Sequence, residues 1–139
     1  MAPHPEEQRR CERDCSRLCH DFAWTVDHLD YDAFVDLFAP DGVFERAGQR
    51  SAGHEAIRAF LIARPTGRVT RHLCGNVRID MTGPDAATGT CVALVLAGAT
   101  GDTPPAPSPP LVVDYTDDYV RTADGWKFSH RRTAIVFGP

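Results

Sequence analysis

At Pro65 the apolar period of the chain changes from 3.6 residues to 2, and this switch constrains the fold more than any other feature. From about Glu6 to Val26 apolar residues recur at helical spacing. "LDYDAFVDLFAPDGVF" then supplies a short second helix, with Asp30 placed to cap it, that must end before Pro40 because proline brings no amide hydrogen. "DGVFERAGQRSAG" reads as a turn and a short strand, and "GHEAIRAFLIARP" as a third amphipathic helix closed by Pro65. Beyond it lie four strand-like segments, Val69 to Met81, Thr88 to Ala99, Leu111 to Thr122 and Trp126 to Phe137. They are separated by "TGPDAA", the proline-rich "GDTPPAPSPP" and the hairpin signal "ADG". Helices first and an antiparallel meander afterwards indicate an α+β domain whose helices cover one face of the sheet.

A chain of 139 residues with 42% hydrophobic side chains is large enough for one such domain, 1–139, with its own core. The net charge of −4, with Lys and Arg scattered among acids, provides no continuous basic face, so neither nucleic acid nor an anionic membrane is an expected partner. No apolar run approaches the ~20 residues that span a bilayer, and the N-terminus is polar and acidic, which leads us to expect a cytoplasmic protein. Five cysteines, an odd number, suit reduced thiols. Cys11, Cys15 and Cys19 share a helical face with Leu18, Phe22 and Val26. They read as a buried apolar stripe rather than a metal site, because the spacing matches no standard zinc pattern.

The strand "VTRHLCGNVRID", residues 69–80, carries a histidine where Val or Ile would be expected. Alternation puts Thr70, His72, Cys74 and Asn76 on one face and Arg71, Leu73, Gly75 and Val77 on the other, so the polar set is expected to face inward. An inward histidine is a candidate general base, because imidazole takes protons near neutral pH. On the residues alone the favoured reading is a hydrogen-bonded core histidine, with Asp27 a solvated helix-end residue. In the last strand, Trp126, Phe128, His130 and Arg132 alternate with Lys127, Ser129, Arg131 and Thr133. His20, His28 and His54 read as surface positions. No clustered metal-ligand spacing and no glycine-rich phosphate loop is present, so no cofactor is expected.

The runs "FAWTVDHLDYDAFVDLFAPDGVF", "GHEAIRAFL", "TRHLCGNVRI" and "VVDYTDDYVRTADGWKFSHRR" together resemble the SnoaL-like branch of the nuclear-transport-factor-like superfamily over nearly the whole chain. The resemblance implies a cystatin-like cone, a curved antiparallel sheet closed by three N-terminal helices around a deep pocket. Within the superfamily the aspartate of "TVD" and the histidine of "TRHLCGN" are most similar to the Asp–His dyad of scytalone dehydratase and γ-hexachlorocyclohexane dehydrochlorinase. This implies Asp27 as orienting carboxylate and His72 as base. Arg131 matches the dehydrochlorinase's pocket arginine and would bind developing negative charge; the other reading is an exposed arginine paired with Asp117 or Asp118. Tyr115 falls where relatives place a pocket aromatic, and Tyr119 reads as core. Trp24, Phe34, Phe38 and Asn76 complete the expected substrate-binding set. The tyrosine pair of scytalone dehydratase is not evident, since Trp24 and Val26 occupy its neighbourhood.

The resemblance implies a cofactor-independent lyase or isomerase of dehydratase type acting on a small, apolar, oxygenated or cyclic molecule. A polyketide-cyclase-like enzyme of secondary metabolism and a non-catalytic ligand-binding or accessory subunit are the alternatives. Val77, Ile79 and Trp126, taken as facing outward, lead us to expect a homodimer through the sheet.

Overall fold

In the computed structural model, which describes residues 2–139, helix gives way to strand at the position where the period changes. Helix α1 (Pro5–Asp27) opens on proline, where a missing N–H is harmless, and His4 Nδ1 accepts from the Glu6 amide at 3.2 Å. Cys11, Cys15, Leu18, Cys19, Phe22 and Val26 form its buried stripe, and all five cysteines of the chain are free thiols. The helix stops because Leu29 adopts a left-handed φ of 59°. The Asp30 amide then returns to the Thr25 carbonyl at 2.9 Å and the Leu29 amide to Val26 at 3.3 Å, a Schellman closure with leucine where glycine is usual.

Helix α2 (Tyr31–Asp36) is capped by Asp30, whose carboxylate accepts from the Ala33 amide at 3.2 Å. Where the sequence suggests one short strand there are two, β1 (Phe38–Arg46) and β2 (Gln49–Ala52), turned through Ala47 and Gly48, both at positive φ. Pro40 sits inside β1. It is tolerated because the ladder is interrupted between Phe38 and Val43. Helix α3 (His54–Ile62) follows, with the His54 ring nitrogen Nε2 2.7 Å from the Phe38 carbonyl, a more enclosed position than the surface one expected.

Strands β3 (Arg68–Gly83), β4 (Ala86–Ala99), β5 (Leu111–Thr122) and β6 (Gly125–Phe137) form the expected antiparallel meander. The six strands make one sheet in the order β2-β1-β6-β5-β4-β3. Its one parallel pair is β1 with β6, which sets Phe44 opposite Arg131 and Arg46 opposite Thr133.

As an edge strand, β3 has one row of backbone groups without a strand partner, and α1 satisfies part of it. Near its N-terminus Gln8 donates to the Ile79 carbonyl at 2.9 Å and accepts from the Met81 amide at 3.0 Å. At its C-terminus Asp27 accepts from the His72 amide at 2.8 Å.

Two bulges shift the strand alternation. In β3 the register slips between Gly75 and Arg78, with Asn76 at φ 51°. Thr70, His72 and Cys74 face inward as expected, but after the bulge Val77, Ile79 and Met81 do so, and Asn76 is exposed. Opposite the β5 step from Asp118 to Tyr119, β6 carries Ser129 as an extra residue, so Trp126 and Phe128 face inward and are followed there by Arg131 and Thr133. A one-residue slip reverses every later side chain. Val77 therefore packs against the core, and Ile79 and Trp126 are buried, so none of the three supplies the outward apolar face from which a homodimer was expected. Among the described residues, no helix is long and apolar enough to cross a membrane.

Candidate active site

Asp27 is the last residue of α1, where a carboxylate faces the negative end of the helix dipole and is disfavoured. Three donors offset this. His72 Nδ1 lies 2.6 Å from Oδ1, Thr70 Oγ1 donates to Oδ1 at 2.8 Å, and the His72 amide donates to Oδ2 at 2.8 Å. Burial alone would push the Asp27 carboxyl up, but the bonds from His72 and Thr70 outweigh it and hold the group below the ordinary carboxylate range. An ionised Asp27 makes Nδ1 the protonated ring nitrogen, which leaves the lone pair of His72 on Nε2. The two side chains are 5% and 13% exposed, and His72 lies on the wall of a cavity.

The cavity, about 80 Å³, is several times the ~10–15 Å³ needed for one water. Phe22, Phe34, Phe44, Phe60, Val95 and Val113 give it an apolar body, with Tyr115 on the β5 side. Burial holds the Tyr115 phenol well above its ordinary pKa, so at neutral pH it is a neutral hydroxyl able to donate. Thr70, His72, Thr133 and three arginines, Arg46, Arg64 and Arg68, supply the polar wall.

The structure thus brings Asp27, His72, Phe34 and Tyr115 together and removes four residues from the expected set. Trp24 is 65% exposed and stacks on His28, because it lies on the face of α1 opposite the cysteine stripe. Phe38 is buried against Phe34 and Phe128, below the cavity wall. Asn76 is carried to the surface by its bulge.

Arg131 is the largest departure. The bulge at Ser129 turns it inward to complete burial, but it does not line the cavity. Its guanidinium lies 3.7 Å from the Tyr115 ring and 4.2 Å from that of Phe22, and Nη2 donates to Cys91 Sγ at 3.0 Å. Its Nε is 3.1 Å from Asp117 Oδ1, a contact of charges without the alignment of a hydrogen bond. Asp117 accepts in addition from the Tyr119 hydroxyl at 3.1 Å, which makes Tyr119 the core residue expected. Burial pushes the Asp117 carboxyl up to about 6, and the Arg131 charge opposes a further rise. Burial pulls the Arg131 pKa down, the Asp117 charge more than reverses this, and Arg131 stays charged. Cys19, Cys91 and Asp117 are the described residues grouped closely enough to hold a metal ion, but the cation among them is already the Arg131 guanidinium.

Sequence reasoning overlooked Arg46, Arg64 and Arg68. Each stands at an element boundary: the end of β1, just after α3 and the start of β3. That three element ends converge on one cavity mouth is visible only once the parallel β1–β6 pair is known.

Comparison with solved structures places the fold among known cones. A protein from Novosphingobium aromaticivorans, provisionally assigned as a scytalone dehydratase, superposes with a TM-score of 0.78 at 23% identity, over 90% of this chain and 83% of that one. An NTF2-like protein with a cystatin-like fold from the same organism gives 0.73 at 20% identity, over 94% and 85%. A type 2 hexachlorocyclohexane dehydrochlorinase, LinA, gives 0.77 at 20% identity, over 93% and 85%. No curated protein matches the chain significantly. The family model described as a SnoaL-like domain matches residues 8–132, from the first turns of α1 to Arg132 in β6, and the chain belongs to that family.

Proposed function

We propose that this protein is a cofactor-independent lyase or isomerase of dehydratase type in which His72 is the general base and Asp27 orients it. The observation that carries the reading is the 2.6 Å contact between Asp27 and His72 Nδ1 at the wall of a cavity with an aromatic body. His72 Nε2 takes a proton from a substrate carbon next to an electron-withdrawing group. The electron pair of that C–H bond forms a new double bond, and Asp27 stabilises the imidazolium that results. The same imidazolium returns the proton, to a departing hydroxyl in an elimination or to another carbon in an isomerisation. The fold relatives include a dehydrochlorinase and a provisionally assigned dehydratase, which supports the class of chemistry. Arg131 does not line the cavity but stands behind its Tyr115 and Phe22 walls, so it has no direct contact with the reacting atoms in this reading.

The test is a screen of hydroxylated and halogenated cyclic compounds in D2O, following C–H exchange and product by NMR. The expected result is turnover or exchange that disappears in His72→Ala. Unchanged specific activity in that variant would overturn the base assignment and move the protein to the ligand-binding class.

A further inference from the structure

Three arginines converge on one cavity in a chain whose net charge is −4. Arg46, Arg64 and Arg68 are all half-buried, and among the described residues none of them forms an ion pair, whereas Arg10, Arg17, Arg50, Arg58, Arg121 and Arg132 each do. Arg64 reaches only neutral oxygens, the Val26 carbonyl at 3.4 Å and the Tyr31 hydroxyl at 3.3 Å. Arg68 Nε is buried with no hydrogen-bond partner, and so is the hydroxyl of Thr133, which stands opposite Arg46 in the β1–β6 pair and opposite Tyr115 in the β5–β6 pair. Burial and the charges of Arg64 and Arg46 together lower the Arg68 pKa, the mark of like charges facing one another. The Asp27 carboxylate lies behind Thr70 and His72, and its oxygens are committed to those two residues. Like charges gathered without a counter-charge, beside orphaned donors, form a receptor for an anion.

We propose that the cavity takes an organic acid: a small molecule whose apolar body lies among Phe22, Phe34 and Phe60 and whose carboxylate is held by Arg46, Arg64 and Arg68. This rests on the proposed proton transfer only for where the reacting carbon lies; capture of the carboxylate stands apart from it. With the carboxylate so held, the proton goes to His72 Nε2 and the electron pair of the broken C–H bond delocalises into the carboxylate. The arginines then stabilise the charge that Arg131 cannot reach.

Isothermal titration with benzoate and with benzamide, a neutral probe of the same shape, tests the proposal. The expected result is benzoate binding roughly tenfold or more tighter than benzamide, as for hydrogen bonds to a charged group, with the advantage shrinking at high salt. Arg68→Gln should lose most of that advantage and Arg68→Lys retain part of it. Arg46→Gln gives the same comparison at a different element should Arg68→Gln fail to fold. His72→Ala should still prefer benzoate, so a failed base assignment is distinguishable from a failed anion site. Equal binding of the two probes, binding of neither up to their solubility limits, or a benzoate preference undiminished in both glutamine variants would overturn it.

Discussion

Among the described residues two enclosed pairs join a carboxylate to a nitrogen-bearing side chain, Asp27 with His72 and Asp117 with Arg131, and they differ in what remains free. In Asp27–His72 the carboxylate accepts three hydrogen bonds, and the ring keeps one nitrogen for the cavity. In Asp117–Arg131 both side chains are 0% exposed, the guanidinium is covered by Tyr115, Phe22 and Phe128, and neither partner meets the cavity. Access, more than burial or charge, separates a pair suited to chemistry from one that holds the core. The sheet makes the distinction: the dyad hangs on its edge strand, while Arg131 and Asp117 face each other across β5 and β6 in its interior.

Substitutions at the two sites are expected to have opposite signatures. The largest expected effect is on turnover. His72→Ala should lower the rate by roughly 10²–10⁴, the usual cost of losing a general base, and Asp27→Asn should cost a comparable factor with the fold retained. Single-turnover rates set beside melting curves would show this; a lowered melting temperature with normal specific activity would instead make the dyad structural. Next comes stability. Arg131→Met leaves the buried Asp117 without its counter-charge and should cost about 3–5 kcal/mol in urea unfolding near neutral pH, while molecules that remain folded keep their activity.

Acid titration of stability provides a third comparison, with slopes of opposite sign. Asp27 has its folded pKa below the ordinary value, so its contribution is complete above the carboxylate range and is lost as pH falls through it. Asp117 is raised from 3.8 to about 6, so the folded state binds that proton more tightly than the unfolded chain does. Its contribution is present at low pH and is lost as pH rises through that window. Unfolding curves for Asp27→Asn and Asp117→Asn between pH 3 and 8 should therefore flatten different limbs of the wild-type profile, and identical profiles would remove the contrast. The smallest effect is at the helix end that positions the dyad. Leu29→Gly should raise stability by up to about 1 kcal/mol by relieving a left-handed leucine while leaving turnover unchanged.

The helices were legible in the sequence because their signals are local: the cysteine stripe of α1, Asp30 as a cap, and Pro65 closing the third period. The contact between Asp27 and His72 was legible through family resemblance joined to strand alternation, which holds at Thr70 and His72 because the bulge comes later, beyond Gly75. Past each bulge the alternation misleads. Asn76 was assigned inward for that reason, and Val77, Ile79 and Trp126 outward. Arg131 turns inward as the family match implied, but nothing local to β6 reveals that Asp117 and Tyr115 enclose it there. A short strand is legible within residues 41–53, but its early start is hidden because Pro40, Asp41 and Gly42 interrupt the pattern, and its parallel pairing is hidden because its partner β6 lies far along the chain.

That distant partnership has a consequence for synthesis. Arg46 and Thr133 meet only when β1 docks on β6, near the C-terminus of the chain. Contacts so far apart in sequence close a large loop, which makes them entropically costly to form. A chain growing from the ribosome can wind α1 and pair β3 with β4 early, but it has no complete binding cavity until residue 133 has left the exit tunnel. A ligand present during translation therefore cannot guide the winding of α1 or the pairing of β3 with β4, and can act only once β6 has docked against β1.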